Sequence, residues 1–368
     1  MAKKKEKKEK SKIFGITSRF LMLIVAGCLI LSYLSVLINP AKVWLMSLVG
    51  LLFVPLSVLN FLLLLWAVKR LSKSFVIPLL ALLPAFFFVG RYVRIDTEEE
   101  RIERQSVEGE CIKVISYNVG RFGLHNSKAG IDSRDECADS VFRFLKSQNA
   151  DIICLQEFHA PDAKKVKAYI DRHMKGYHAE YYMFPTRSGA FGNVTLSRIP
   201  VKGKGKIKFD ESANLAIYTD YEAADQRFRV YNCHFESYNV SISGLMRALV
   251  NRDNTMISMT GDKMKRSITR RPKQVDEVFA HIEQCPVETF VCGDFNDNPM
   301  SYTYYRMTRG RKDTFKYAGN GFGATFATFW PMLRIDYILC PDRYNPTKHT
   351  TPRLPFSDHY PVVSEIRL

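Results

Sequence analysis

The chain has 368 residues and a formal net charge of +16. That length suits one domain of about 250 residues plus a smaller segment. The charge is unevenly placed: residues 1–94 hold 14 Lys and Arg against two acids, Glu6 and Glu9, and residues 95–368 hold 39 against 35. A pI near 9.4 is therefore weak ground for nucleic-acid binding, which needs a basic face on the folded domain.

The eight cysteines form no CxxC pair and no metal-finger spacing. Cys154, Cys233, Cys292 and Cys340 each lie in an apolar, strand-like run and read as buried thiols packed as small hydrophobes.

In chain order, residues 1–19 form a basic tail that begins MAKKKEKKEKSK, a solvated charge run. Three apolar stretches follow, Phe20–Ile38, Val43–Val68 and Phe75–Val93. About 20 helical residues cross a bilayer, so the sequence predicts three transmembrane helices over residues 20–94, the third with Arg91 and Arg94 snorkelling. Lysine and arginine mark the cytoplasmic side. The tail and the Lys69–Lys73 loop are basic, whereas the first loop has only Lys42. The expected protein is thus a multi-pass inner-membrane protein with its C-terminal domain on the extracytoplasmic side. Two spans plus a re-entrant hairpin would leave that domain inside.

Residues 95–110 read as a charged linker or short helix. From Cys111 the pattern becomes short alternating elements: strands at 111–118, 151–155, 178–184, 192–197, 214–222, 227–235, 289–293, 335–340 and 361–367, and helices at 133–148, 161–174 and 274–284. This predicts an α/β domain with mixed sheets. Residues 239–273 read as a long polar insertion with eight basic residues and two acids, Asp253 and Asp262. A mobile loop is the plain account; a lid over substrate or membrane, with an amphipathic helix at 242–250, is the sharper one.

Several strand-like runs end in acids, amides or histidines, where sites are commonly built. In order they are SYNVG (116–120), LQE (155–157), GNVTLSRIP (192–200), NCHFES (232–237), GDFNDNP (293–299), RIDYIL (334–339) and SDHYPV (357–362). Singly each has a plainer explanation: Glu157 as a helix cap, His234 as a core histidine, Asn118 as a turn residue, Asp294 and Asn296 as caps. Their order over Cys111–Leu368 resembles the endonuclease/exonuclease/phosphatase superfamily of the deoxyribonuclease-I-like type, which includes abasic-site endonucleases, neutral sphingomyelinases and inositol-polyphosphate 5-phosphatases. GDFN and SDH are the most specific motifs.

The resemblance implies a four-layer α/β sandwich and hydrolysis of a phosphate ester with Mg²⁺, or Mn²⁺ in its place. By motif position it implies metal-side roles for Asn118, Glu157 and Asp358. It implies catalytic roles for His234, Asp294, Asn296, Asp336 and His359, with Asp336 orienting His359, and a phosphate contact for Asn193. The implied substrate is a phosphodiester, in nucleic acid or a phospholipid head group, cleaved by in-line attack of an activated water; membrane lipid is the other expected partner. A sphingomyelinase-like lipid phosphodiesterase is one alternative. A catalytically idle membrane scaffold on the same fold is another. The abasic-endonuclease branch has Tyr where this chain has His234, which argues against abasic-site specificity.

Overall fold

The structure is a computed structural model. It describes residues 2–106, 108–123, 130–238, 247, 250–251 and 253–368, with backbone alone for 2–15 and 254. The chain divides into two compact units, residues 1–90 with 300–302, and residues 91–299 with 303–368.

The first unit is helical. Ala2–Leu34 is one helix, and its Ile16–Leu34 part is long and apolar enough to cross a membrane. The other two expected spans are corrected. Leu45–Leu51 and Phe53–Lys69 are bent by 59° at Leu52, and Lys73–Val89 is a shorter run broken into α and 3-10 turns. The breaks fall near Pro55, Pro78 and Pro84, whose rings remove ladder hydrogen bonds. Length and composition thus support one span, or two if the bent pair counts as one. Buried polar ties hold the helices together: Asn60 Nδ2 donates to Val25 O at 3.2 Å and Tyr33 OH to Ala81 O at 2.7 Å.

The second unit is a sandwich of two six-stranded sheets. The first contains β2 (Cys111–Asn118), β3 (Ile152–Ala160), β4 (His178–Thr186), β5 (Gly189–Ser197), β13 (Asn345–Thr350) and β14 (Val362–Arg367), in the order β13-β14-β2-β3-β5-β4. The second contains β6 (Gly203–Lys208), β7 (Leu215–Ala223), β8 (Gln226–His234), β9 (Glu288–Asp294), β10 (Arg311–Asp313) and β12 (Asp336–Pro341), in the order β10-β12-β9-β8-β7-β6. A short ribbon pairs β1 (Val93–Arg94) with β11 (Gly321–Phe322). Each large sheet has one parallel pair, β2/β3 and β8/β9, among antiparallel neighbours.

The period-2 alternation of a strand explains the layers. On β2, Ile112 and Val114 face the other sheet, where they meet Phe228, Phe290, Cys292 and Ile338. Ile115 and Tyr117 face outward and are covered by Val141, Phe142 and Leu145 of the helix Arg134–Gln148. That helix begins with a capping box, Ser133 with Glu136, which satisfies two otherwise orphaned N–H groups.

The helix Asn254–Glu283 is 30 residues long and corrects two expectations. The stretch read as an insertion loop is helical from residue 254, and the helix placed at 274–284 starts 20 residues earlier. Pro272 lies inside it, at a cost in ladder hydrogen bonding. Burial of Ile268, Val275, Val278, Phe279 and Ile282 keeps the helix on the domain. The expected 242–250 helix lies outside the described residues, save Arg247 and Val250. Three strands of the large sheets that the sequence reading omitted, β6, β10 and β13, are edge strands; GKGKIK and NPTKHT lack an apolar face, and β10 has three residues.

A buried ion pair ties β10 to the segment before β12. Arg334 Nη2 lies 2.7 Å from Asp313 Oδ2, both about 2% exposed. Burial opposes charge on Asp313, but Arg334 and the Tyr304 hydroxyl hold its carboxyl below the usual range. Removing one partner of such a pair leaves an uncompensated charge. Arg334→Leu is expected to cost about 3–5 kcal/mol, read from the denaturant midpoint, with partial recovery on adding Asp313→Asn. An unshifted midpoint would refute this.

His349 is buried between the hydroxyls of Thr314 and Ser364, and burial pulls it down to about 3. The unfolded chain binds this proton below about pH 6.5. The stability contribution is therefore full above that pH and lost as pH falls toward 3. His349→Gln is expected to flatten the acid limb of a pH–stability curve, and an unchanged slope between pH 6 and 4 would sink the idea.

Candidate active site

Strand register assembles the site. Three neighbouring strands of the second sheet bring His234 (β8), Asp294 (β9) and Asp336 (β12) side by side, His234 opposite Asp294 and Asp294 opposite Asp336. Adjacent strands are about 4.8 Å apart, so the side chains are within reach of each other. In the first sheet Asn118 of β2 pairs with Gln156 of β3, and Glu157 follows. The site thus lies at the C-terminal ends of both parallel pairs.

Asp294 is the hub. Its Oδ2 accepts from Asn118 Nδ2 at 2.9 Å and Asn296 Nδ2 at 3.1 Å. Its Oδ1 accepts the Asn296 backbone N–H at 2.8 Å. The Nε2 atoms of His234 and His359 each lie 3.8 Å from Oδ2, so one carboxylate oxygen faces two imidazoles. Burial raises the Asp294 pKa despite these partners.

His359 is oriented from behind. Its Nδ1 lies 3.0 and 3.2 Å from the two oxygens of Asp336, and its backbone N–H donates to Ser357 Oγ. Burial disfavours the imidazolium, but Asp336 and then Asp294 outweigh it and lift His359 to about 10. The ring is cationic at neutral pH, with Nε2–H aimed at the space shared with Asp294. Asp336 is fixed in turn: its backbone N–H and that of Ile335 donate to Thr325 Oγ1.

Glu157 approaches from the first sheet. Its Oε1 is 3.9 Å from His234 Nε2, and its Oε2 is 3.3 Å from Arg121 Nε. Three non-glycine residues here have positive φ, Arg121 (57°), Glu157 (49°) and Asn296 (51°). This conformation strains a residue with a Cβ, and such strain collects at functional sites. Gly293 has φ 138°, and a Cβ there would lie 1.9 Å from Cys233 O, so the close approach of β9 to β8 requires glycine.

Of the nine residues singled out in sequence, His234, Asp294, Asn296, Asp336 and His359 come together with Asn118 and Glu157 around Asp294. Asp358 sits at the rim, exposed, with the Ser357 hydroxyl 3.4 Å from its Oδ1. Asn193 lies against the backbone beside His234, since Leu215 pairs with His234. It is buried within β5, and its Nδ2 donates across the sandwich to Leu215 O and Asn232 O, so its donor is committed to joining the sheets.

Among the described residues, the His/Cys/Asp/Glu trio with ligand atoms within 4.8 Å of one another is Asp294, Asp336 and His359. Two of these are already joined as an imidazolium–carboxylate pair. Glu157 Oε1, which takes no hydrogen bond from a described residue, is the hard oxygen best placed for a divalent cation. Asn118 Oδ1 accepts Gly120 N–H at 3.0 Å and is less free.

Some participants were not read from the sequence. Arg121 bridges Glu157 and the Phe191 ring, its guanidinium 4.2 Å from the ring centre. Phe326 sets its ring edge-on to His359 at 5.1 Å. Arg271 and Asp297 form a buried pair at 3.1 Å, and Arg271 Nε donates to Glu236 O two residues after His234. Gln156 Nε2 donates to Asn232 Oδ1 at 2.8 Å across the sheets. Gln156, Asn232 and Asp297, each within two residues of a candidate site residue, had a signal in the motifs.

Residues 115–359 match the model of the endonuclease/exonuclease/phosphatase family, and residues 11–92 match a domain of unknown function. No curated protein matches. Similar solved structures include an endonuclease/exonuclease/phosphatase from Bacteroides vulgatus, 17% identical over 70% of this chain and 99% of that one, with a TM-score of 0.52. Another from Beutenbergia cavernae is 16% identical over 70% and 72%, with a TM-score of 0.50. A functionally unknown protein from Enterococcus faecalis is 16% identical over 69% and 99%, also at 0.50. These likenesses are of fold. The family match spans two thirds of the sequence, and the chain belongs to the endonuclease/exonuclease/phosphatase family of hydrolases acting on phosphate ester bonds.

Proposed function

We propose that this chain is a membrane-attached, divalent-metal-dependent phosphodiesterase that cleaves a phosphodiester by in-line attack of a water. The observation that carries the reading is the Asp336–His359 pair, facing Asp294 Oδ2 with His234 on the other side.

The roles follow from charge and position. Asp294, raised by burial, accepts the water's proton and orients the water. Asn296, held by the Phe235 carbonyl at 3.0 Å, fixes Asp294. Cationic His359 meets a phosphate oxygen and offsets charge where it develops in the transition state. His234 lies between Asp294 and Glu157, where it can pass a proton toward the leaving oxygen. Family members generally use a divalent metal. Here Glu157, with Asn118 and Asp358 nearby in the same wall, would hold Mg²⁺ or Mn²⁺, which would supply Lewis-acid charge neutralisation. Membrane attachment rests on the Ile16–Leu34 helix and on the exposed apolar side chains of the first unit, among them Phe61, Phe86 and Phe87.

Two results test the chemistry. Excess chelator is expected to abolish hydrolysis, Mg²⁺ to restore it, and Glu157→Ala to remove the metal response while the fold survives. The assay is turnover on a panel of duplex DNA, RNA, sphingomyelin and a small soluble diester. Full activity in chelator would overturn the reading.

The second result is a pH profile. Asp336 raises the His359 pKa, so Asp336→Asn lowers it. The alkaline limb of turnover, near 10 in the parent chain, is expected to move acidward toward 6.5, with a loss of about 10²-fold at neutral pH. An unmoved limb would remove His359 from its role as the required cation.

A further inference from the structure

From Tyr317 to Leu333 the chain carries no charge and five aromatic residues, Tyr317, Phe322, Phe326, Phe329 and Trp330. The base of this loop is welded to the catalytic strands. Thr325 Oγ1 holds the Ile335 and Asp336 amides, Ala327 N–H donates to Asp358 O at 2.8 Å, and Tyr360 N–H donates to Thr325 O at 2.7 Å. Phe326 packs inward on His359. The tip turns outward: Phe322 is 48% exposed, Trp330 37% and Met332 43%. Phe322 and Trp330 meet edge to face at 5.7 Å, and the Arg353 guanidinium lies 3.9 Å over the Trp330 ring. A rigid apolar tip with an indole and a flanking cation suits the boundary between lipid and water, where aromatic rings keep one end apolar and one wet.

A second observation identifies the occupant. The apolar N-terminal unit ends at Gly90, and the chain enters the catalytic domain through β1. That strand pairs with this same loop, Val93 opposite Phe322, and Gly323 N–H donates to Tyr92 O at 2.9 Å. Three residues of extended chain span about 10 Å. Val93, the residue opposite Phe322, thus lies three residues along the chain from the end of the apolar unit.

We propose that the exposed tip of the 322–332 loop, Phe322, Trp330 and Met332, seats in a bilayer interface and so presents the mouth beside His359 to phosphodiesters at the membrane surface. The inference rests on the reading of the chain as membrane-attached. It adds which face meets the lipid, and hence that the substrate is bilayer-borne.

The test uses the full chain carrying Trp44→Phe and Trp66→Phe, which leaves Trp330 as the sole tryptophan. It is reconstituted in vesicles of phosphatidylcholine and phosphatidylglycerol with brominated acyl chains. Co-flotation with quenched, blue-shifted Trp330 emission is the expected result. Co-flotation with unquenched, water-like emission would overturn the inference and leave membrane attachment standing. Failure to float would overturn both. Quenching by an added single-stranded oligonucleotide and not by lipid would assign the loop to stacked bases and overturn the inference.

A second measurement is independent of fluorescence. Phe322→Ser with Met332→Ser is expected to leave turnover of a small soluble phosphodiester unchanged, and to lower turnover of phosphodiester lipids in vesicles by about tenfold or more. An equal change on both substrates would count against the proposal.

Discussion

Everything at this site is arranged around one buried carboxylate. Asp294 Oδ2 receives two amide donors and faces two imidazoles. An isolated charge in such a place would be costly. The surrounding donors make it tolerable, and burial still raises its proton affinity. The constraint that produces this arrangement is strand register: Asp294 lies opposite His234 on one side and Asp336 on the other. A slip of one residue on β9 would turn Asp294 to the opposite face of the sheet.

Register is secured by groups that take no part in the chemistry. Gly293 lets β9 approach β8 where a side chain would strike Cys233 O. Gln156, Asn232 and Asn193 form a buried amide bridge between the sheets, so the strand carrying Glu157 and the strand carrying His234 are linked at their ends. Arg271 and Asp297 brace the loops after β8 and β9. Buried polar networks of this sort rigidify when satisfied. Here the network is only partly satisfied, since Gln156 Oε1, Asn193 Oδ1 and Arg271 Nη2 are buried without a hydrogen-bond partner among the described residues, and Glu157 and Asn296 nearby adopt positive φ.

The two units place different demands on their sequence. The catalytic unit hides its apolar side chains between sheets and under helices. The N-terminal unit leaves many of its own exposed. The 322–332 loop shares that property within the catalytic unit, and its Phe322–Gly323 end pairs with the strand through which the chain arrives. Within the catalytic unit this apolar loop therefore lies beside His359.

Much was legible in the sequence because it is local. Alternating apolar runs ending in LQE, GDFN, RIDY and SDH marked both the strands and the candidate residues, since a strand's period places successive side chains on fixed faces and its end frees one for chemistry. The apolar face of 133–148 marked a helix, which the structure places at Arg134–Gln148. Tertiary structure decided the rest. Asn193 resembled a phosphate ligand by motif position but lies between the sheets, a depth that spacing along one strand does not encode. The helix expected at 274–284 begins at Asn254 and runs through Pro272, with Val275, Phe279 and Ile282 buried. The apolar N-terminal stretches had the composition of three spans, but prolines and a 59° bend leave one helix of full length, because continuity of a helix depends on its hydrogen-bond ladder as well as on hydropathy. Arg121 and Phe326 joined the site only through folding, since each reaches it across a turn or a sheet, and no linear pattern records such a meeting.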